Sequence, residues 1–399
     1  MGSELESATF TREQRQQYRQ KAKACLDVFE QMLGSHSFDF ETPMIGMEIE
    51  LNLVDASYEP KMDNAEVLAA IADPEYQTEL AQFNIEFNVP PRQIGGASAA
   101  ELEEALRASL NEAERRCAQV GAHIVMVGIL PTVTPGTFEG EWMSANTRYQ
   151  ALNDAFLAAR GENIHLDITG RSGERLLRYA DSLAPESACT SMQLHLQVRP
   201  HEFADYWNAA QVLAGAQLAL GANSPYFMGQ ELWAETRIEL FSQAADTRPE
   251  ELRNQGVRPR VFFGERWITS IFDLFEENTR YFPALLPELD DEDPQEAFDS
   301  GRAPRLSEMR LHNGTIYRWN RPIYDIVAGR PHLRVENRVL PAGPTIVDTL
   351  ANTAFYYGAV RALVADDRPV WTRMSFATAA ENFTAGARDG IDAVQFWPG

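Results

Sequence analysis

Four separated segments of this 399-residue chain place ligand-type side chains at every second position. They are GMEIELNLV (46–54), QFNIEFNVPP (82–91), SMQLHLQVRP (191–200) and HLRVENRVLP (332–341). Successive side chains of an extended chain point to opposite faces. Glu48, Glu50 and Asn52 therefore share one face of the first segment, and Met47, Ile49, Leu51 and Leu53 the other. The same alternation puts Asn84, Glu86 and Asn88 together, then Gln193, His195 and Gln197, then Arg334, Glu336 and Arg338. Wet strand faces usually carry Thr, Ser and Lys, whereas these carry Glu, His, Asn, Gln and Arg. Each segment alone reads equally well as an antiparallel strand with a solvated face. Four together predict a sheet curved around a polar cavity.

Carboxylates gathered in such a cavity repel one another, and bound cations relieve the repulsion. Several carboxylates with one imidazole and no nearby cysteine suit Mg²⁺ or Mn²⁺ better than structural zinc. Neighbouring arginines can grip phosphate or carboxylate with two parallel hydrogen bonds. Acid, arginine and divalent cation together equip a site for phosphoryl transfer, where catalysis is largely placement and charge neutralisation.

The elements that must position these groups are mixed. Amphipathic helices are predicted at Thr11–Gly34 and Ser98–Gly121, the second with Ser98 and Glu101 spaced as a capping box and Gly121 as its stop. HIVMVGIL (123–130) reads as a buried strand, and further helices are expected at 146–159, 202–220, 345–364 and 373–386. Short alternating segments between helices favour α+β with a mainly antiparallel sheet over a doubly wound parallel one. The acidic, proline-containing stretch 290–304 reads as an exposed loop, and no linker divides residues 1–399, which are expected to form a single catalytic domain.

Composition narrows the function. A net charge of −23 argues against nonspecific nucleic-acid binding, which needs a cationic surface. The amino end shows no secretory signal, and no apolar run is long enough to span a bilayer. Three scattered cysteines fit a reducing, cytoplasmic setting better than a disulfide scaffold.

Taken in order, these motifs resemble the glutamate–cysteine ligase type 2 family of carboxylate–amine ligases, in the glutamine synthetase-like superfamily. GMEIEL is similar to the family's Gly-x-Glu-x-Glu strand, implying Glu48 and Glu50 as metal ligands. TELAQFNIEFNVPP resembles the next block, adding Glu79 and Glu86 as metal ligands and Asn88 as a substrate contact. SMQLHLQV sits where members carry paired polar residues, implicating Gln193 toward substrate and His195 toward metal; its QLHLQ departs from both familiar pairs. ANSPYFMGQ and the Arg237 after it resemble a substrate-facing block. HNGTIYRWNRP implies His312 and Thr315 as substrate contacts and Arg318 and Arg321 as phosphate contacts. LRVENR resembles the superfamily's Arg-x-Glu-x-Arg strand, with Glu336 as a metal ligand and Arg334 and Arg338 on phosphate. The chain stops at FWPG, where further helical sequence is expected in the family, as if a carboxyl-terminal piece were missing.

The resemblance implies a funnel-shaped active site with helices packed on the outer face of the sheet. ATP and Mg²⁺ (or Mn²⁺) would convert a carboxylate to an acyl phosphate for attack by an amine, with Arg237, Arg321 and Arg338 catalytic. Partners would be small amino-acid, carboxylate and amine substrates, with no nucleic acid or membrane, and a homo-oligomer is compatible. A kinase of the same superfamily and a non-catalytic nucleotide or amino-acid binding protein are the alternatives. A glycosidase built on paired carboxylates is disfavoured by the arginine-rich strand.

Overall fold

The computed structural model describes residues 10–35, 38, 43–95 and 98–398. The sheet strands are β1 (Met44–Val54), β2 (Tyr76–Thr78), β3 (Asn84–Gln93), β4 (His123–Val125), β5 (Met192–Gln197), β6 (Asn320–Val327) and β7 (Arg330–Asn337); the period-two patterning marks β1, β3, β5 and β7, whereas β2 and β6 are not expected from the sequence. They pair antiparallel in one curled sheet, in the order β6-β7-β5-β1-β3-β2, with β4 added to the end of β1. A register shift falls between Ile45 and Met47, where β3 carries an extra residue beside Pro90 and Pro91. Prolines cannot donate to the ladder, and a bulge tolerates them.

The apolar face of this sheet is sealed. Met47, Ile49, Leu51, Ile85, Phe87, Leu194, Leu196, Leu333 and Val335 are all buried in one core. Against it pack α1 (Arg12–Gly34), α2 (Ser98–Cys117), α4 (Phe203–Gly221), α6 (Ile271–Tyr281) and α7 (Ile346–Val364). A second core joins α3 (Thr147–Arg160), α5 (Thr236–Ala244), α8 (Phe376–Asp389) and the 164–180 hairpin. Burying a large aliphatic or aromatic side chain stabilises by about 1.5–3 kcal/mol, so these faces dictate which side of each strand turns inward.

Helix boundaries follow local chemistry. Thr11, Asn146, Thr345 and Ser375 cap the helices expected near them, each accepting a backbone N–H through its side chain. Gly121 adopts positive φ at the stop after α2, while the Ser98 side chain lies outside the described residues. Two expectations need correction. HIVMVGIL forms only the three-residue, half-buried β4, because its later residues turn away from the sheet. The 290–304 stretch contains a helix, Pro294–Asp299, capped by the Asp293 carboxylate. Among the described residues no helix is long and apolar enough to cross a membrane.

Candidate functional site

Strand register alone assembles the polar face. Across β6, β7, β5 and β1, Arg321 lies opposite Glu336, Glu336 opposite His195, and His195 opposite Gly46. The neighbouring row across β5, β1 and β3 is Gln193, Glu48 and Asn88. In the third row, Glu50 on β1 faces Glu86 on β3, and Gln77 on β2 faces Glu86 in turn. Glu79 arrives from the loop just after β2.

The six sequence-predicted metal residues thus separate into two triads, Glu48–His195–Glu336 and Glu50–Glu79–Glu86. In each, one potential ligand atom per residue lies within 4.8 Å of the others. The triads differ in charge compensation. Arg321 grips Glu336 with two hydrogen bonds, at 2.6 and 2.8 Å, and Arg338 approaches it at 3.8 Å. Burial opposes ionisation of Glu336, yet these two guanidiniums hold its carboxyl well below the usual range. Glu48 is likewise net lowered: burial raises it, and His195 at 3.0 Å outweighs that.

The second triad has no cation partner at ion-pair distance among the described residues. Gln193 donates to Glu50 at 3.0 Å, Asn88 to Glu86 at 2.8 Å, and the backbone N–H groups of Ser191 and Leu80 to Glu50 and Glu79. Burial first, then Glu86 and Glu50, raises Glu79 strongly; burial first, then Glu48 and Glu50, pushes Glu86 up to about 7; burial also raises Glu50. Buried carboxylates crowded in this way make a hard-oxygen donor set suited to Mg²⁺ or Mn²⁺.

His195 is bound through both ring nitrogens. The Arg334 Nε–H donates to its Nδ1 at 3.0 Å, so Nδ1 supplies the lone pair and Nε2–H faces Glu48. In this arrangement His195 is a hydrogen-bond donor to Glu48. It can ligate a metal through Nε2 only if Arg334 releases Nδ1.

Two clefts flank the acids. One, of about 220 Å³, is lined by Glu48, both β1–β3 acids, Glu79, Arg321, Arg338 and Tyr317. The other, of about 740 Å³, lies on the far side of Glu48 and His195 and is bordered by Asn88, Pro90, His332 and Arg334. Arg338 makes no hydrogen bond through its guanidinium among the described residues, which leaves its donors open toward the smaller cleft.

Other candidates are placed differently. Arg237 touches the cleft, but its donors are taken by Glu235 at 2.8 Å, the Val339 carbonyl and the Arg338 carbonyl, so it ties down the strand end that carries Arg338. Arg318 also borders the cleft and is held by Glu277 and Asn278, with only its buried Nε unpartnered. His312 and Thr315 do not reach either cleft. His312 faces the Asn278 carbonyl through Nε2 at 2.9 Å and meets the Tyr18 ring edge-on, while Thr315 donates to the His312 carbonyl. Their assignment as substrate contacts is corrected: both sit in the packing beneath the site.

Sequence patterning missed Arg148, Tyr149, Phe241 and Glu186, which complete the smaller cleft. They come from helices and a single helical turn, where no strand periodicity marks them. Tyr317 and Trp319, left unassigned by sequence, line it as packed aromatics, with the Arg237 guanidinium 5.5 Å from the Trp319 ring centre.

The glutamate-cysteine ligase family 2 model matches residues 44–398, nearly the whole chain. The chain belongs to glutamate-cysteine ligase family 2. Among solved structures, this family member resembles the glutamate–cysteine ligase of Francisella tularensis in complex with AMP. The identity is 12%, with a TM-score of 0.50, covering 89% of this chain and 73% of that one. A bifunctional glutathione synthetase from Pasteurella multocida matches with 12% identity and a TM-score of 0.42, covering 92% and 44%. A glutamine synthase homologue matches at 12% identity and a TM-score of 0.33, covering 92% and 65%. No curated protein sequence matches the chain. The fold expected from the sequence, a curled antiparallel sheet with helices packed on its outer face, is the fold observed.

The uncompensated triad predicts a pH dependence. An acid whose folded pKa exceeds its unfolded value contributes stability below the unfolded value and loses it as pH rises. With an ordinary value of 4.5 and Glu86 at about 7, metal-free stability should fall as pH climbs from about 4.5 toward neutrality. Thermal melts in EDTA should show that fall, and millimolar Mg²⁺ should flatten it by binding the folded state. A melting temperature that rises across this interval in EDTA would contradict the crowding of the three acids.

Proposed function

We propose that this family member is an ATP- and Mg²⁺-dependent carboxylate–amine ligase that forms an amide, glutamate–cysteine ligase-like in its chemistry. The observation that carries this reading is the pairing of an uncompensated acid triad with the open guanidinium of Arg338 in one cleft. Phosphate is a far better leaving group than the oxygen of a carboxylate, so the carboxylate must first be phosphorylated. The cleft beside Arg334 and His332 would take the nucleotide. The smaller cleft would take the carboxylate and the amine, with the acids between them at the transferring phosphoryl group.

Glu50, Glu79 and Glu86 would hold one divalent cation, and Glu48 with Glu336 a second. Bound there, such cations neutralise charge on nucleotide oxygens. Arg338 would grip the transferring phosphoryl oxygens as charge shifts onto them. Arg321 keeps Glu336 ionised and aimed, and Arg237 fixes the backbone below. No residue need form a covalent intermediate. We read residues 1–399 as one catalytic domain acting on small molecules in the cytoplasm.

An ADP-release screen of the purified chain against paired amino acids tests the proposal. ADP should form only when an acid, an amine, ATP and Mg²⁺ are all present. Hydroxylamine in place of the amine should trap the activated acid as a hydroxamate. ADP with a stable phosphorylated product and no amine requirement would indicate the kinase instead. Nucleotide binding without turnover would indicate the binding protein.

A further inference from the structure

Glu186 is a carboxylate in the smaller cleft that the proposed machinery does not use. It sits in a single helical turn, Ala184–Ser187, just before β5. Its position is fixed from both sides. The Asn153 side chain of α3 accepts the Leu183 N–H at 2.9 Å, and Cys189 N–H returns to the Glu186 carbonyl at 2.9 Å. The side chain lines the cleft, yet its Oε2 is sealed from solvent with no hydrogen-bond partner. It is not a member of either metal triad.

Leaving a buried carboxylate oxygen unpartnered is costly, and such a group calls for an occupant. The charged and titratable groups that act on it are Glu50 and Arg338, and it acts in turn on Glu79, Tyr317 and Cys189. Burial first, then Glu50, lifts its carboxyl to about 8, against a partial opposing pull from Arg338. A positively charged donor would satisfy the oxygen and restore its ionised form. Within a lining that also carries Arg148, Arg237 and Arg318, the side chains of Tyr149, Leu152, Phe241 and Tyr317 supply carbon-rich surface for a small organic group.

We propose that Glu186 is the anchor for the ammonium nitrogen of the amine substrate and the acceptor of its proton. This rests on the ligase reading above. In the step concerned, the Glu186 carboxylate takes one proton from R–NH₃⁺, leaving R–NH₂ to attack the acyl carbon. The new C–N bond forms as the C–O bond to phosphate breaks. The second nitrogen proton leaves with the collapse of the adduct, giving amide, HPO₄²⁻ and one proton in total to the surroundings.

The test compares wild type with Glu186→Gln and Glu186→Asp, using hydroxylamine as the discriminating acceptor. Hydroxylamine is already neutral at neutral pH and needs neither an anchor for positive charge nor a base. With the cognate amine, Glu186→Gln should lose about 10²–10³-fold in kcat/KM, the range typical of a positioned proton acceptor. Hydroxamate formation should fall by no more than about threefold, and Glu186→Asp should recover part of the amine-dependent rate. Equal losses with both acceptors would overturn the proposal and make Glu186 a structural or metal-side residue. A second measurement stands apart from turnover: ethylammonium chloride, against sodium chloride at equal ionic strength, should raise the melting temperature of wild type but not of Glu186→Gln. If wild type makes no ADP with any pair, a Glu186-dependent ethylammonium shift keeps the site while sinking the ligase reading. Equal shifts in both proteins, or none in either, overturn the site.

Discussion

Glu86→Gln should make the metal-free protein more heat-stable while abolishing Mg²⁺-dependent ADP formation. The two effects have one origin. Burial first, then repulsion from Glu48 and Glu50, opposes ionised Glu86, and its carboxyl is displaced from 4.5 to about 7. At 1.36 kcal/mol per pKa unit, relief of that penalty is on the order of 3 kcal/mol at neutral pH. For a chain of this size that corresponds to roughly 3–6 °C in EDTA. Asn88 keeps an acceptor, because a glutamine carbonyl can replace the carboxylate oxygen it now meets at 2.8 Å. The gain should vanish or reverse in saturating Mg²⁺, which stabilises wild type and has lost a ligand in the variant. ADP formation should drop by about 10²–10³-fold, the scale of losing one preorganised charge contact. A Glu86→Gln protein that melts lower in EDTA and still turns over would refute the metal assignment of this triad.

Arg338→Ala should be nearly as damaging to activity and far gentler on the fold. Among the described residues its guanidinium holds no hydrogen bond, and Glu336 retains both bonds from Arg321 when Arg338 is gone. We expect phosphoryl transfer to fall by about 10²–10³-fold with only a small change in melting temperature. Arg338→Lys should recover only part of this, since a point charge lacks the planar two-pronged grip. Arg321→Ala is the contrasting control. It strips the bidentate partner from a carboxylate that is 2% exposed, and breaking a buried pair from one side costs about 3–5 kcal/mol. Should Arg338→Ala prove the less stable of the two, the assigned roles of these arginines would have to be exchanged.

The comparison of sequence with structure is uneven for physical reasons. The strands and their polar faces were legible because alternation carries both facts at once: Ile49 and Leu51 must be buried, so Glu48 and Glu50 must face the cleft. The division of six ligands into two triads was not legible, because it depends on which residues lie opposite across strands far apart in sequence. The arginines were the hardest. A guanidinium serves an internal acid and an external phosphate equally well, and Arg237 is spent on Glu235 while Arg338 is not. HNGTIYRWNRP misled at its start because His312 ends a helix, Ser307–Asn313, that packs against α1 and α6, and only the later residues reach the cleft. Glu186 lies in a turn with no periodicity, so nothing in its neighbours along the chain marks it.

The walls and the floor of the smaller cleft have separate origins: Glu48, Glu50 and Glu86 stand on paired strands, whereas Arg148, Tyr149, Leu152 and Phe241 stand on helices. Changing a floor residue disturbs its partners on two adjacent strands, but a wall residue can be exchanged without touching the ladder. Directed evolution toward new acids or amines should therefore draw its accepted substitutions from these wall positions and leave the sheet as an invariant engine.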